Sequence, residues 1–224
     1  MSTRPVQISA SLLNADHARL GEEVRRAVEG GVDSIHIDVM DGHFVESITI
    51  GPAVVEAVRP FASVPYHAHL MVSQPLRHAR AFADAGSDLI VAHVEAEDDA
   101  AEVIGAIHGY GRGAGLAINP ETEAEAVFPY LDALDLLLVM TVHPGRGGQA
   151  FLSEVLPKMA RLRDEIANRG LSVPIGVDGG VHLDTIGPAH AAGGEIMVAG
   201  SALFGIEGDL GPTVQALRGA AEVA

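Results

Sequence analysis

Short runs of apolar, often β-branched residues alternate along this chain with longer stretches whose apolar positions recur at helical spacing. A strand repeats its facing every second residue and a helix every three to four, so regular switching between the two patterns reads as βα units around a parallel sheet. The runs place strands near Val6–Ser11, Ser34–Val39, Val64–Leu70, Leu89–His93, Gly115–Ile118, Leu136–Thr141, Val173–Val177 and Glu195–Ala199. Eight such units in 224 residues predict a closed (β/α)8 TIM barrel of the α/β class, with an open doubly wound sheet as the competing architecture. No low-complexity linker or shift of composition divides the chain, so a single barrel domain over residues 1–224 is expected.

The helical stretches carry their own punctuation. Asn14 or Asp16 can cap the first, Leu20, Val24, Ala27 and Val28 form its apolar stripe, and Gly30-Gly31 ends it. The third opens with Pro75, buries Leu76, Ala79, Phe82 and Ala83, and stops at Gly86. The sixth is predicted over Ser153–Asn168, with Pro157 placed where it can shift the true start.

An apolar fraction of 48% and a mean hydropathy of +0.25 argue for a packed globule despite a net charge of −16. No apolar run reaches the roughly 18 residues of a membrane span, and the first residues lack the apolar core of a secretion signal. With no cysteine, disulfides and thiolate metal sites are excluded. A cytoplasmic protein is expected. The 30 acids against 14 bases repel nucleic acid and anionic lipid, so an anionic substrate needs a locally positive cradle.

The candidate chemistry lies at the strand ends. His36 and Asp38 stand two apart on one strand and therefore share a face, while His69 and Asp178 end two later strands. Active sites of such barrels lie on the loops following the strand C-termini. Two imidazoles and two carboxylates make a site for one divalent ion, suited to Zn, Fe(II), Mn or Co better than to Ca or Mg, in which the carboxylates can also move protons. The remaining histidines considered, His17, His67, His78, His93, His108, His143, His182 and His190, read as surface or packing residues. Three glycine clusters, Gly145-Arg146-Gly147-Gly148, Gly179-Gly180 and Gly200-Ser201, follow strands 6, 7 and 8, where backbone N–H groups can approach a phosphate. Arg146 can add a bidentate phosphate contact or point to solvent. Ser11 reads either as a hydroxyl partner for a sugar or as a strand-end cap.

The segments Ser9-Ala-Ser-Leu-Leu13, His36-Ile-Asp-Val-Met-Asp-Gly-His-Phe44, His69-Leu-Met-Val72, Met140-Thr-Val-His-Pro-Gly-Arg-Gly-Gly-Gln-Ala-Phe151, Val177-Asp-Gly-Gly-Val181 and Ala199-Gly-Ser-Ala-Leu-Phe204 resemble the ribulose-phosphate 3-epimerase family, in family order through nearly the whole chain. The resemblance implies a metal-dependent, ribulose-phosphate-binding type of barrel that inverts C3 of a ketose phosphate. Carried over residue by residue, it makes His36, Asp38, His69 and Asp178 the metal ligands, with Asp38 and Asp178 also the acid/base pair. It further implies that Met40, Met71 and Met140 form an apolar lid over an enediolate, where a bare reading of methionine would be core filler. Interconversion of D-ribulose 5-phosphate and D-xylulose 5-phosphate, as in the pentose phosphate pathway, is the expected reaction, in a homo-oligomer of the kind relatives often form.

Four residues depart from the family pattern or stand where it varies. Glu46-Ser47 stand where Pro-Asn is common, Arg146 where Phe is usual, and His143 at a variable position. They bear on sugar preference and keep another ketose phosphate, such as D-allulose 6-phosphate, as an alternative. A sugar-phosphate lyase or decarboxylase is disfavoured because the chain has no Asp-x-Lys-x-x-Asp array and only one lysine, Lys158. A metal- or sugar-phosphate-binding protein without turnover is the non-enzymatic alternative.

Overall fold

The apolar runs become the strands β1 (Gln7–Ser11), β2 (Ser34–Met40), β3 (Tyr66–Met71), β4 (Leu89–His93), β5 (Gly113–Ile118), β6 (Leu136–Met140), β7 (Ile175–Asp178) and β8 (Ile196–Ala199). In the computed structural model, which describes residues 5–222, neighbours in sequence pair in parallel and β1 closes on β8. The expected barrel is therefore the observed architecture, and the outer ends of the predicted 1–224 span, residues 1–4 and 223–224, lie outside the described residues.

β3 and β7 each begin two residues later than their apolar runs, and proline is the reason. Pro65 and Pro174 have no N–H to give to a ladder, so β3 and β7 start one residue beyond them. Their carbonyls still accept, from the Ile35 and Leu137 amides at 2.9 and 3.1 Å.

The helices α1 (Leu20–Glu29), α2 (Pro52–Val58), α3 (Pro75–Asp84), α4 (Ala100–Gly109), α5 (Leu156–Asn168), α6 (Ile186–Ala191), α7 (Ser201–Phe204) and α8 (Gly211–Glu222) surround the strands. Between β5 and β6 the expected α-helix is instead a 3₁₀ run, Ala124–Ala133, with Pro129 inside it. Proline removes an i→i−4 donor and clashes with the preceding turn, so an α-helix over this segment is disfavoured. Pro157 has the opposite effect. A 3₁₀ turn at Ser153–Val155 precedes it and the α-helix starts at Leu156, where the missing N–H costs nothing. In the first unit Ser11 and Asp16, rather than Asn14, cap two short 3₁₀ turns that lead into α1.

Strand alternation divides the apolar residues into two layers. Residues such as Ile8, Ile35, Ile37, Leu70, Ile90, Leu116, Leu137 and Val177 point outward and pack with the helices. A smaller cluster, Val91, Ala117, Leu136, Leu138, Met140, Ile196 and Val198, fills the lumen from the β4–β8 side. On the β1–β3 side the alternate positions are polar and equally buried: Ser9, Ser11, Ser34, His36, Asp38, His67 and His69. At the lower level of this polar half Ser34 Oγ donates to Ser9 Oγ at 2.7 Å, so neither hydroxyl is left unpaired in the dry interior.

Gly115 permits close packing in the apolar half. A Cβ there would lie 2.9 Å from Val91 Cγ2 and 3.0 Å from the Leu136 carbonyl oxygen. Gly115→Ala is therefore expected to lower unfolding free energy by about 1–3 kcal/mol, the usual cost of overpacking, measured by urea denaturation against wild type.

Candidate active site

The parallel register delivers the predicted residues to one level at the C-terminal mouth. Ser11 is opposite His36, Asp38 opposite His69, Met40 opposite Met71, and Met140 opposite Asp178. The four donor atoms His36 Nε2, His69 Nδ1, Asp38 Oδ1 and Asp178 Oδ2 converge. His36 Nε2 lies 3.3 Å from Asp38 Oδ1, 3.5 Å from Asp178 Oδ2 and 3.3 Å from His69 Nδ1. His69 Nδ1 is 3.1 Å from Asp38 Oδ1 and 3.3 Å from Asp178 Oδ2. The other Asp38 oxygen accepts from Ser11 Oγ at 2.7 Å. Ser11 Oγ also accepts from the Leu13 amide, so the hydroxyl is both a strand-end cap and a partner of Asp38.

Burial opposes a charge on each of these groups, and their mutual attraction overrides it. The Asp38 charge and hydrogen bonds to both carboxylates push His36 up to about 10, and hydrogen bonds to Asp178 and Asp38 raise His69. Burial and the Asp38 charge oppose ionisation of Asp178, but the hydrogen bonds from both imidazoles hold it below the usual carboxylate value. Burial likewise opposes the Asp38 charge, and the His36 charge and the same imidazoles drive it far below. Protons thus bridge the four donors, and a cation entering among them must displace those protons. The donor set fits a divalent metal: two imidazole nitrogens and two carboxylate oxygens within 4.8 Å of one another, the only such group among the described residues.

The glycine clusters line the same cavity as Asp38 and Asp178. Gly145, Gly147, Gly148, Gly179, Gly180, Gly200 and Ser201 all border it, as do Met40, Met71 and Met140. The left-handed φ of +121° at Gly179 and +64° at Gly180 and the close approach of Gly180 to the Phe151 backbone leave no room for a side chain. Thr141 Oγ1 fixes this turn by donating to the Gly179 carbonyl at 2.6 Å, and Ser47 Oγ ties the β2 loop to the β6 loop through the Gly145 carbonyl at 2.6 Å. Arg146 borders the cavity with an exposed side chain. Glu46 is exposed on the outer rim beside His143 and Arg146.

Two features were missed in the sequence. Asn14 reaches between the loops: a Cβ on Gly147 or Gly200 would lie 2.8 or 2.4 Å from its Oδ1. Its only sequence signal is its place in the loop after β1. His93, read as surface or packing, is buried beneath His69, with the two Nε2 atoms 2.8 Å apart, and its Nδ1 faces Glu95 Oε2 at 3.1 Å. The signal was available, since His93 and Glu95 repeat at the end of β4 the i, i+2 spacing of His36 and Asp38. Burial holds His93 and His67 down to about 4, so both are neutral at pH 7.

Beneath this layer Lys158, on α5, donates to the carbonyls of Asn119, Pro120 and Thr122 at 2.5, 3.0 and 2.9 Å. It lies outside the cluster, so no lysine is available there for Schiff-base or charge-array chemistry.

A (β/α)8 barrel with a buried His2Asp2 cluster that could hold a metal ion, and with glycine loops at its mouth, has the layout of a barrel enzyme with its site at the C-terminal face. The model of the ribulose-phosphate 3 epimerase family matches residues 7–204. A ribulose-phosphate 3-epimerase of Bacillus subtilis is 44% identical over 217 residues, covering 96% of this chain and 99% of the relative. That of Escherichia coli K12 is 41% identical over 198 residues, covering 88% of each. Among solved structures, a 3-hexulose-6-phosphate synthase superposes with a TM-score of 0.71 at 20% identity, covering 96% of this chain and 99% of the other, a likeness of fold. The chain belongs to the ribulose-phosphate 3-epimerase family and is an enzyme of the epimerase class. Among the described residues no helix is long and apolar enough to cross a membrane.

Replacing Lys158 removes a donor from three carbonyls at once. Lys158→Met is expected to cost about 1–3 kcal/mol in urea unfolding and to speed amide exchange through residues 119–123.

Proposed function

We propose that this protein interconverts D-ribulose 5-phosphate and D-xylulose 5-phosphate by inverting C3, with Asp38 and Asp178 as the two proton-transfer groups. The observation that carries the reading is that carboxylates from β2 and β7, well separated in the barrel wall, face one imidazole pair in a chain of this family. Inversion needs one group on each face of a planar intermediate. One aspartate takes the C3 proton, the other delivers a proton to the opposite face, and the roles exchange in the reverse direction. Because the two carboxylates share partners, they titrate as a coupled pair.

His36, Asp38, His69 and Asp178 would hold the divalent ion, one of Zn, Fe(II), Mn or Co. Its contribution when bound is to stabilise the negative charge that develops on the substrate oxygens. Ser11 holds Asp38 through its second oxygen, which keeps the other directed into the cluster. Met40, Met71 and Met140 present thioethers over the reacting carbons and exclude water from the enediolate. Gly145–Gly148, Gly179-Gly180 and Gly200-Ser201 receive the phosphate through backbone N–H groups, with Arg146 adding charge in an otherwise acidic protein.

The deciding experiment is incubation of metal-reconstituted protein with D-ribulose 5-phosphate in deuterated water. Deuterium is expected at C3 together with xylulose 5-phosphate; a folded, metal-loaded protein that gives neither overturns the assignment. Asp178→Asn is expected to keep the fold and lose at least about 10²-fold in turnover, and wild-type turnover would reject the two-aspartate scheme. Arg146→Gln is expected to raise KM for the phosphate ester with little change in kcat, as for loss of uniform binding.

Glu46, Ser47 and Arg146 at the rim favour a second reading, the same inversion on a hexulose phosphate such as D-allulose 6-phosphate. The ratio of kcat/KM for pentulose and hexulose phosphates discriminates the two.

A further inference from the structure

The hydrogen bonds behind His69 form a directed chain. Glu95 Oε1 accepts from the Asn119 amide at 2.8 Å, and Oε2 lies 3.1 Å from His93 Nδ1. An ionised carboxylate can only accept, so His93 Nδ1 must carry a proton. In a neutral imidazole that leaves Nε2 as an acceptor. Among the described residues the polar partner of that atom is His69 Nε2, 2.8 Å away, so His69 must donate from Nε2. Its Nδ1, the nitrogen that faces Asp38 and Asp178, is then the one that can give a lone pair once a cation displaces the proton shared with those carboxylates.

The rings that carry this chain are held in place by packing. His93 stacks on His69 with centroids 5.0 Å apart and an interplanar angle of 24°, and Phe44 packs against it, tilted, with centroids 4.8 Å apart. Glu95 is fixed in turn by the 119–122 loop, whose carbonyls Lys158 gathers.

We propose that His93 and Glu95 are positioning residues that set the tautomer of His69, so that its Nδ1 is presented bare to the cluster. The inference rests on reading the cluster as a metal site, and it extends that site by two residues that do not touch the ion. Outer partners of this kind raise the basicity of a ligating imidazole and fix its orientation.

Glu95→Gln tests the direction of the chain. The Asn119 amide still requires an acceptor, so the glutamine oxygen stays there and its NH2 turns towards His93. His93 must then accept at Nδ1 and donate from Nε2, and the His69 proton is forced onto Nδ1, where it competes with the metal. His93→Phe keeps a ring between Phe44 and His69 while removing the relay. Both variants are to be titrated with Co(II) and Zn(II) against a chelating dye, with circular dichroism and thermal midpoints as the check on folding. The expected result is about 10–100-fold weaker binding in each folded variant. Ring ¹⁵N spectra of the zinc-loaded wild type are expected to show His93 protonated at Nδ1 and His69 at Nε2, with the His93 proton moved to Nε2 in Glu95→Gln. Wild-type protein that binds metal, alongside Glu95→Gln that binds it within twofold as tightly, overturns this inference alone; His93 protonated at Nε2 in wild type does the same. Wild-type protein that binds neither metal overturns the metal-site reading and the relay with it.

Discussion

Asp38 and Asp178 place two carboxylates in the lumen of a barrel, where Asp38 is buried and Asp178 nearly so, and much of the surrounding structure can be understood as what keeps them ionised there. A buried carboxylate without partners costs several kcal/mol, so it persists only where donors and opposite charge surround it. Here the two imidazoles supply both, and the Ser11 hydroxyl satisfies the remaining Asp38 oxygen. The requirement spreads outward: His69 needs a partner for its second nitrogen, which is His93, and His93 needs Glu95. The lumen is consequently divided, with polar residues on β1–β3, joined by His93 of β4 and Asp178 of β7, and aliphatic ones elsewhere on β4–β8. Pairing without removal of one partner is what makes such a network tolerable, since loss of any member leaves a stranded charge.

The register of β2 against β3 does the geometric work. Opposing Asp38 to His69 and Met40 to Met71 sets carboxylate and imidazole at one level of the wall and the thioethers at the next. A shift of one residue would send His36 and Asp38 to the outer, helix-facing layer and bring Ile35 and Ile37 into the lumen. Chemistry and barrel closure therefore depend on the same hydrogen-bond ladder.

Periodicity made the barrel and the cluster legible. All eight strands could be located from apolar runs because parallel strands are buried on both faces, and His36 and Asp38 stood out because polar residues at i and i+2 interrupt such a run on one face. What was hidden follows from rules that act through tertiary neighbours. The 3₁₀ run at Ala124–Ala133 looks helical by spacing and is decided by Pro129. Asn14 carries no local signal, since its importance lies in two glycines 133 and 186 residues away in sequence, Gly147 and Gly200. His93 was discounted because an isolated histidine in a strand is usually packing; its spacing to Glu95 was the available signal, and the stacking against His69 gives that spacing its meaning.

Lys158 has a consequence of a different kind. It is the one lysine among 14 basic residues, and its three N–H bonds are all directed at backbone carbonyls, which requires the ammonium form. Open-chain sugar phosphates are electrophiles that condense with neutral amines and go on to glycate them. With its only lysine held by three backbone carbonyls, this chain presents no free lysine amine to attack such a carbonyl, and so gives glycation little to act on.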